Sequence, residues 1–159
     1  MKPILPLLLL LTLVGCGSSD NPSSTAMPRT NTASGPALQI TDEQFKHAFH
    51  CSGDLIRSKR DPVLLTPAFT SDEESFGFNY LRQFRELGIP HCSLGFTDRG
   101  FGDLQISAEY IVMAVRRMHA DSGRKVILFG HQHGPLVELW ALKFWPDLAG
   151  KVSSFISLA

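Results

Sequence analysis

The sequence predicts an α/β domain built on a parallel sheet with helices on both faces. Three features carry that expectation: short runs that are apolar throughout, longer segments between them with apolar residues three and four apart, and glycines where those segments should stop. A strand that is apolar throughout is one covered on both faces, as in parallel sheets. Of the 159 residues, 43% are hydrophobic, enough for a buried core. Fifteen Lys and Arg against fifteen Asp and Glu leave no net charge, which gives no reason to expect a nucleic-acid partner.

The first residues stand apart from that domain. Lys2 precedes an apolar run over 4–14, broken only by Pro6 and Thr12. The run is too short to span a bilayer and fits the core of an export signal. It closes in Leu13-Val14-Gly15-Cys16, which resembles a bacterial lipobox; the resemblance implies cleavage before Cys16 and acylation of its thiol. Residues 1–15 are therefore read as a lipoprotein signal peptide. Residues 16–37 are read as lipid anchor and flexible tether, because 17–36 is rich in Ser, Thr, Asn, Pro and Gly. Gly17, rather than an Asp, follows the cysteine, which in lipoprotein sorting points to the outer membrane. The expected product is exported and held to a membrane through Cys16 without spanning it.

The domain proper covers 38–159. Thr41 and Gln44 form a capping box that predicts a short helix through about His50. Pro62-Val63-Leu64-Leu65-Thr66 reads as a buried strand. Residues 78–87 read as a helix with Leu81, Phe84 and Leu87 on one side and Gly88 as its stop. A second strand is expected at 91–94. Leu104, Ala108, Ile111, Val115 and Met118 mark a long helix stopped by Gly123. A third strand (125–129), a third helix (136–144) and a fourth strand (152–158) complete the alternation. The chain ends at Ala159, straight after a strand, which leaves an apolar edge and reads as truncation. Asp98 and Asp103, beside a Gly-rich stretch, are expected to be turn and cap residues.

Val126-Ile127-Leu128-Phe129-Gly130-His131-Gln132-His133-Gly134 is a strand running through a sharp turn into a helix. That is the setting of the nucleophile elbow Gly-x-Ser-x-Gly, whose central side chain is thrust out above a helix N-terminus. Gly130 and Gly134 are in place, yet the central residue is Gln132.

Around this turn, residues 51–159 resemble the N-terminal half of the Candida antarctica lipase B type of α/β-hydrolase. Pro62-Val63-Leu64-Leu65-Thr66-Pro67 is similar to its strand before the oxyanion loop, and Ile106-Ser107-Ala108-Glu109-Tyr110-Ile111-Val112-Met113-Ala114 to its long helix. Gly134-Pro135-Leu136-Val137-Glu138-Leu139-Trp140 resembles the helix after the elbow, and Phe144-Trp145-Pro146 follows at a similar spacing. The resemblance implies a partial α/β-hydrolase fold and hydrolysis of carboxylic esters through an acyl-enzyme. It maps the nucleophile to Gln132 and the two oxyanion-hole N–H donors to Phe69 and His133; the family's acid and base lie farther along the chain. No cofactor or metal is implied, and the expected ligand is a lipid or other ester. A primary amide has no proton that a base could remove to make a nucleophile, so the chain is expected to be inactive. A pseudoenzyme that binds fatty acids or esters without turnover is the alternative.

Cys51 and Cys92 fall about where the family has a disulfide, which suits an oxidising compartment. Because each follows a histidine (His50, His91), a metal site is a rival reading, though it lacks a recognised zinc spacing. With Cys16 lipidated, no thiol is left as a nucleophile. His131 and His133 form a His-x-His pair for which packing or pocket lining is expected over metal binding.

Overall fold

A computed structural model describes residues 34–158 apart from 53, 54, 57, 77 and 78. The expected signal peptide, Cys16 and most of the expected tether lie outside the described residues. Contacts with the body begin ahead of Leu38: the Ser34 carbonyl accepts from Arg116 Nη2 (2.8 Å) and the Pro36 carbonyl from Trp145 Nε1 (3.0 Å).

Helix α1 (Asp42–Ala48) opens on the expected capping box, Thr41 Oγ1 accepting from the Gln44 N–H at 3.2 Å and Gln44 Oε1 from the Thr41 N–H at 2.8 Å. It stops before His50. Phe49 turns to extended backbone and strand β1 (Phe49–Ser52) pairs antiparallel with β3 (His91–Leu94). The sheet is therefore mixed rather than wholly parallel. Local patterning favours continuing the helix here, and a ladder to residues some forty positions away overrides it.

Strand β2 (Val63–Thr66) is flanked in parallel by β3 and by β4 (Val126–His131), and β5 (Val152–Leu158) pairs in parallel with β4. The order across the sheet is β1-β3-β2-β4-β5. On one face lies α2 (Tyr80–Glu86), shorter than the expected helix, capped by Asn79 Oδ1 accepting from the Tyr80 N–H at 2.6 Å. Its Tyr80, Leu81 and Phe84 pack on Val63, Leu65, Phe76 and Phe129. On the other face lie α3 (Leu104–Ser122) and α4 (His133–Phe144), whose Ala108, Ile111, Val115, Val137 and Ala141 meet Leu64, Cys92, Leu94 and Leu128. Helices on both faces were expected, and each strand's alternation divides the two cores.

Asp103 caps α3, Oδ1 accepting from the Gln105 N–H (2.6 Å), and Gly123 ends it in the left-handed conformation at φ 66°. Asp98 and Arg99 lie in a turn at φ 51° and 53°. Among the described residues β5 pairs with β4 alone, and its Phe155 and Ile156 remain exposed. No described helix is long and apolar enough to cross a membrane.

Candidate functional site

The chain runs from β2 outward to β3, then crosses back over β2 to β4. The crevice at the carboxyl ends of β2 and β4 is thus a topological switch point, where open α/β sheets bind their ligands. The loop after β2 and the turn after β4 meet there.

Gln132 occupies that turn, between the last residue of β4 and the first of α4. Its backbone stands at φ 47°, ψ −95°, a region non-glycine residues avoid, and its side chain makes no capping bond to the helix. Three neighbours hold it there. The Gln132 N–H donates to the Leu158 carbonyl on β5 (2.7 Å). A Cβ on Gly130 would lie 2.6 Å from the Pro135 nitrogen, and one on Gly134 would lie 2.5 Å from Thr66 Oγ1. The two glycines are what allow strand, turn and helix to close this tightly. Helix α4 starts at His133, three residues earlier than its periodicity suggests; Pro135 sits in the first turn, where its missing N–H costs nothing.

Phe69 follows β2 by three residues, in a bend where the Ser71 N–H donates to the Ala68 carbonyl (3.3 Å) and Thr70 takes φ 64°. The Thr70 N–H donates to the Arg99 carbonyl (2.9 Å), tying this bend to the 98–100 turn. The Phe69 ring stacks on the His133 ring with centroids 3.8 Å apart, and Phe96 meets His133 edge-on. The two residues mapped to the oxyanion hole are thus brought together. His133 is the first residue of α4, so no earlier carbonyl of that helix is there to accept from its N–H. Its ring nitrogens are buried without partners, and desolvation lowers its pKa, so the ring is a neutral packing element.

His131 lies elsewhere, edge-on to Phe76 on the α2 side. The structure therefore separates the His-x-His pair, and no group of three His, Cys, Asp or Glu suited to a metal occurs among the described residues. A cavity of about 450 Å³ opens next to the elbow, between His131, Leu158 and the residues Ser71, Ser75, Phe76, Asn79 and Tyr80.

Sequence reasoning missed one group. Glu138 has no exposed surface, and its Oε1 accepts from Thr66 Oγ1 at 2.7 Å while Oε2 has no partner. Gly134 and Glu138 lie one turn apart on the α4 face that meets β2, so the glycine that lets the helix approach also lets the carboxyl reach Thr66. Burial raises its pKa to about 8, only partly opposed by the Thr66 hydrogen bond, so it is mostly protonated near neutrality. The signal was a lone acid inside the apolar stretch 134–144.

Cys51 and Cys92 are directly opposed in the β1–β3 ladder and form a disulfide. Alternation puts His50 and His91 on the opposite face, and the joined thiols offer no free thiolate as a ligand beside them. His91 Nδ1 lies 2.8 Å from the Ile89 carbonyl, and desolvation lowers its pKa.

No family model matches the chain. Over 133 residues it is 29% identical to lipase B of Pseudozyma antarctica, a match covering 82% of this chain and 39% of that protein. Among solved structures, Aspergillus fumigatus lipase B superposes with a TM-score of 0.72 at 22% identity, over 88% of this chain and 34% of that one. The chain carries a partial α/β-hydrolase fold. It is similar to lipase B over most of its own length, yet spans only 39% of the curated relative it matches. The mature form of Bacillus licheniformis lipase BlEst2 shares this hydrolase fold more loosely, with a TM-score of 0.57 at 16% identity over 69% of this chain and 44% of that one.

Proposed function

We propose that the chain is the elbow-bearing portion of an exported, lipid-anchored ester hydrolase of the lipase type, in which Gln132 disables acyl-enzyme chemistry. The observation that carries this reading is the Gln132 backbone. Such a conformation costs about 1–3 kcal/mol and returns nothing to a glutamine that bonds no helix N–H. Its use is to lift a nucleophile above helix N–H donors, where a tetrahedral intermediate's oxyanion would sit. The rings of Phe69 and His133, the two residues mapped to those donors, stack against each other beside the turn, and the relatives named above are lipases; both support the reading. The amide of Gln132 cannot be activated by a base, so no acyl-enzyme forms. Membrane attachment rests on the Leu13–Cys16 motif, and the outer-membrane destination on Gly17.

A chimera joining residues 38–159 with Gln132→Ser to the remaining part of lipase B should hydrolyse p-nitrophenyl butyrate, while the chimera that keeps Gln132 should not. A Gln132→Ser chimera that folds but stays inert would overturn the reading. The cavity beside the elbow favours a second reading, ester binding without turnover; calorimetry that detects no ester binding by the chain would sink it.

A further inference from the structure

Given the ester site proposed above, we infer that the cavity beside Gln132 takes the hydroxyl-bearing part of a small neutral ester rather than a long alkyl chain. The cavity holds about 450 Å³ and adjoins the reacting position directly, since His131 precedes Gln132 and the Leu158 carbonyl accepts the Gln132 N–H. The larger share of its surface is apolar, with Phe76 and Leu158 in the lining, while Ser71, Ser75, Asn79, Tyr80 and His131 bring polar groups to it. No carboxylate, Lys or Arg is among these residues, so nothing in the lining pairs with a charged ligand and a fatty-acid anion finds no counter-ion.

The polar groups differ in what they have left to offer. Ser75 is spent locally: its hydroxyl donates to Asp72 Oδ1 (2.9 Å) and accepts from the Asp72 N–H (2.9 Å). Asn79 Oδ1 is spent on the cap of α2, which leaves its amide N–H₂ as a donor. The Ser71 hydroxyl, the Tyr80 hydroxyl and the His131 ring hydrogen-bond to no other described residue. An alkyl chain filling this space would strip water from four such groups and give them nothing in return, which is costly for each. A ligand hydroxyl accepts from Asn79 or Tyr80 and donates to His131 or Ser71 while its carbon skeleton lies on Phe76 and Leu158. A site built to bond a hydroxyl rejects the analogue lacking it far more strongly than an apolar pocket rejects an extra one. Tyr80 is the central group, because its ring is fixed by an edge contact with Phe129 at 4.9 Å and a tilted one with Phe84 at 6.3 Å, so its oxygen is presented on a rigid stem.

The test is ligand-observed NMR titration of the full chain with two esters of equal shape, ethyl 3-hydroxybutyrate and ethyl 3-methylbutyrate. The hydroxy ester should bind at least tenfold tighter. Tyr80→Phe keeps the ring contacts and should cut that preference at least fivefold while leaving the methyl ester's affinity unchanged; His131→Phe serves as the second variant. Equal binding of the two esters, tighter binding of the methyl ester, or a preference indifferent to both variants would overturn the hydroxyl-ester assignment and leave the ester site standing. Binding of neither ester would overturn the ester site itself, and the assignment with it.

Discussion

Glu138 makes the stability of this fold depend on pH in a sense opposite to that of most carboxylates. Its folded-state pKa, about 8, lies above the ordinary 4.5, because burial penalises the anion more than the Thr66 hydroxyl relieves it. The stabilisation of the protonated form is therefore fully present below pH 4.5, declines as pH rises, and is lost once pH passes about 8. Between those values each pH unit costs about 1.4 kcal/mol, so the interval costs about 5 kcal/mol in total. That is comparable to the entire stability of many domains this size. Two buried histidines act the other way: desolvation lowers the pKa of His91 and His133, so the stability they contribute as neutral rings is present above the ordinary 6.5 and declines as pH falls below it. Glu138→Gln isolates the carboxyl, since it keeps an acceptor for Thr66 and removes the titration while leaving both histidines in place. Urea unfolding at pH 4, 6 and 9 measures both proteins. Relative to Glu138→Gln, the parent should lose about 5 kcal/mol between pH 4 and pH 9, the loss being well advanced by pH 7. A difference between the two proteins that stays flat with pH would refute the assignment of a buried, protonated Glu138.

The disulfide closes a chain separation of 41 residues, so Cys51→Ala with Cys92→Ala should lower stability by about 4 kcal/mol in the loop-entropy description; an unchanged urea midpoint would contradict it. Gly134→Ala places a methyl 2.5 Å from Thr66 Oγ1 and should cost at least about 2 kcal/mol, whereas Gly150→Ala meets nothing within 4 Å and should stay within about 0.5 kcal/mol, both read by thermal unfolding. Gln132→Gly relieves the positive-φ backbone and should raise stability by about 1 kcal/mol; a destabilised variant would mean that the glutamine side chain holds the turn.

The legible parts of the fold were those whose signals are local. Strand Val63–Thr66 lies within the continuously apolar 62–66, strands 91–94 and 152–158 lie where they were expected, and Thr41, Asp103 and Gly123 terminate helices by chemistry confined to a few residues. Strand β1 was not legible, because Phe49–Ser52 is extended only through its ladder to His91–Leu94, and nothing within the tetrapeptide announces that partner. At the site, the spacing of Gly130 and Gly134 revealed the turn. Neither Glu138 nor the grouping of Ser71, Asn79, Tyr80 and His131 was visible. Thr66 and Glu138 are 72 positions apart, and the cavity draws on three separate segments. Contacts of that kind are created by the sheet order.

The elbow also shows how conformation and chemistry can part company in one turn. Residue 132 is held by groups other than its own side chain: the Leu158 carbonyl takes its N–H, Gly130 admits Pro135, and Gly134 admits Thr66. Each of these contacts serves the packing of β4 and α4 against β2 and β5 as well as the turn. If Gln132 replaces a nucleophile, as we propose, the exchange removes the reaction without releasing the strained backbone, because relaxing φ at 132 would pull the first turn of α4 away from the sheet and expose Glu138. A turn of this shape is then kept by the needs of the core. On that proposal the strain at Gln132 marks where a nucleophile would stand, while activity depends on the atom that the turn holds out.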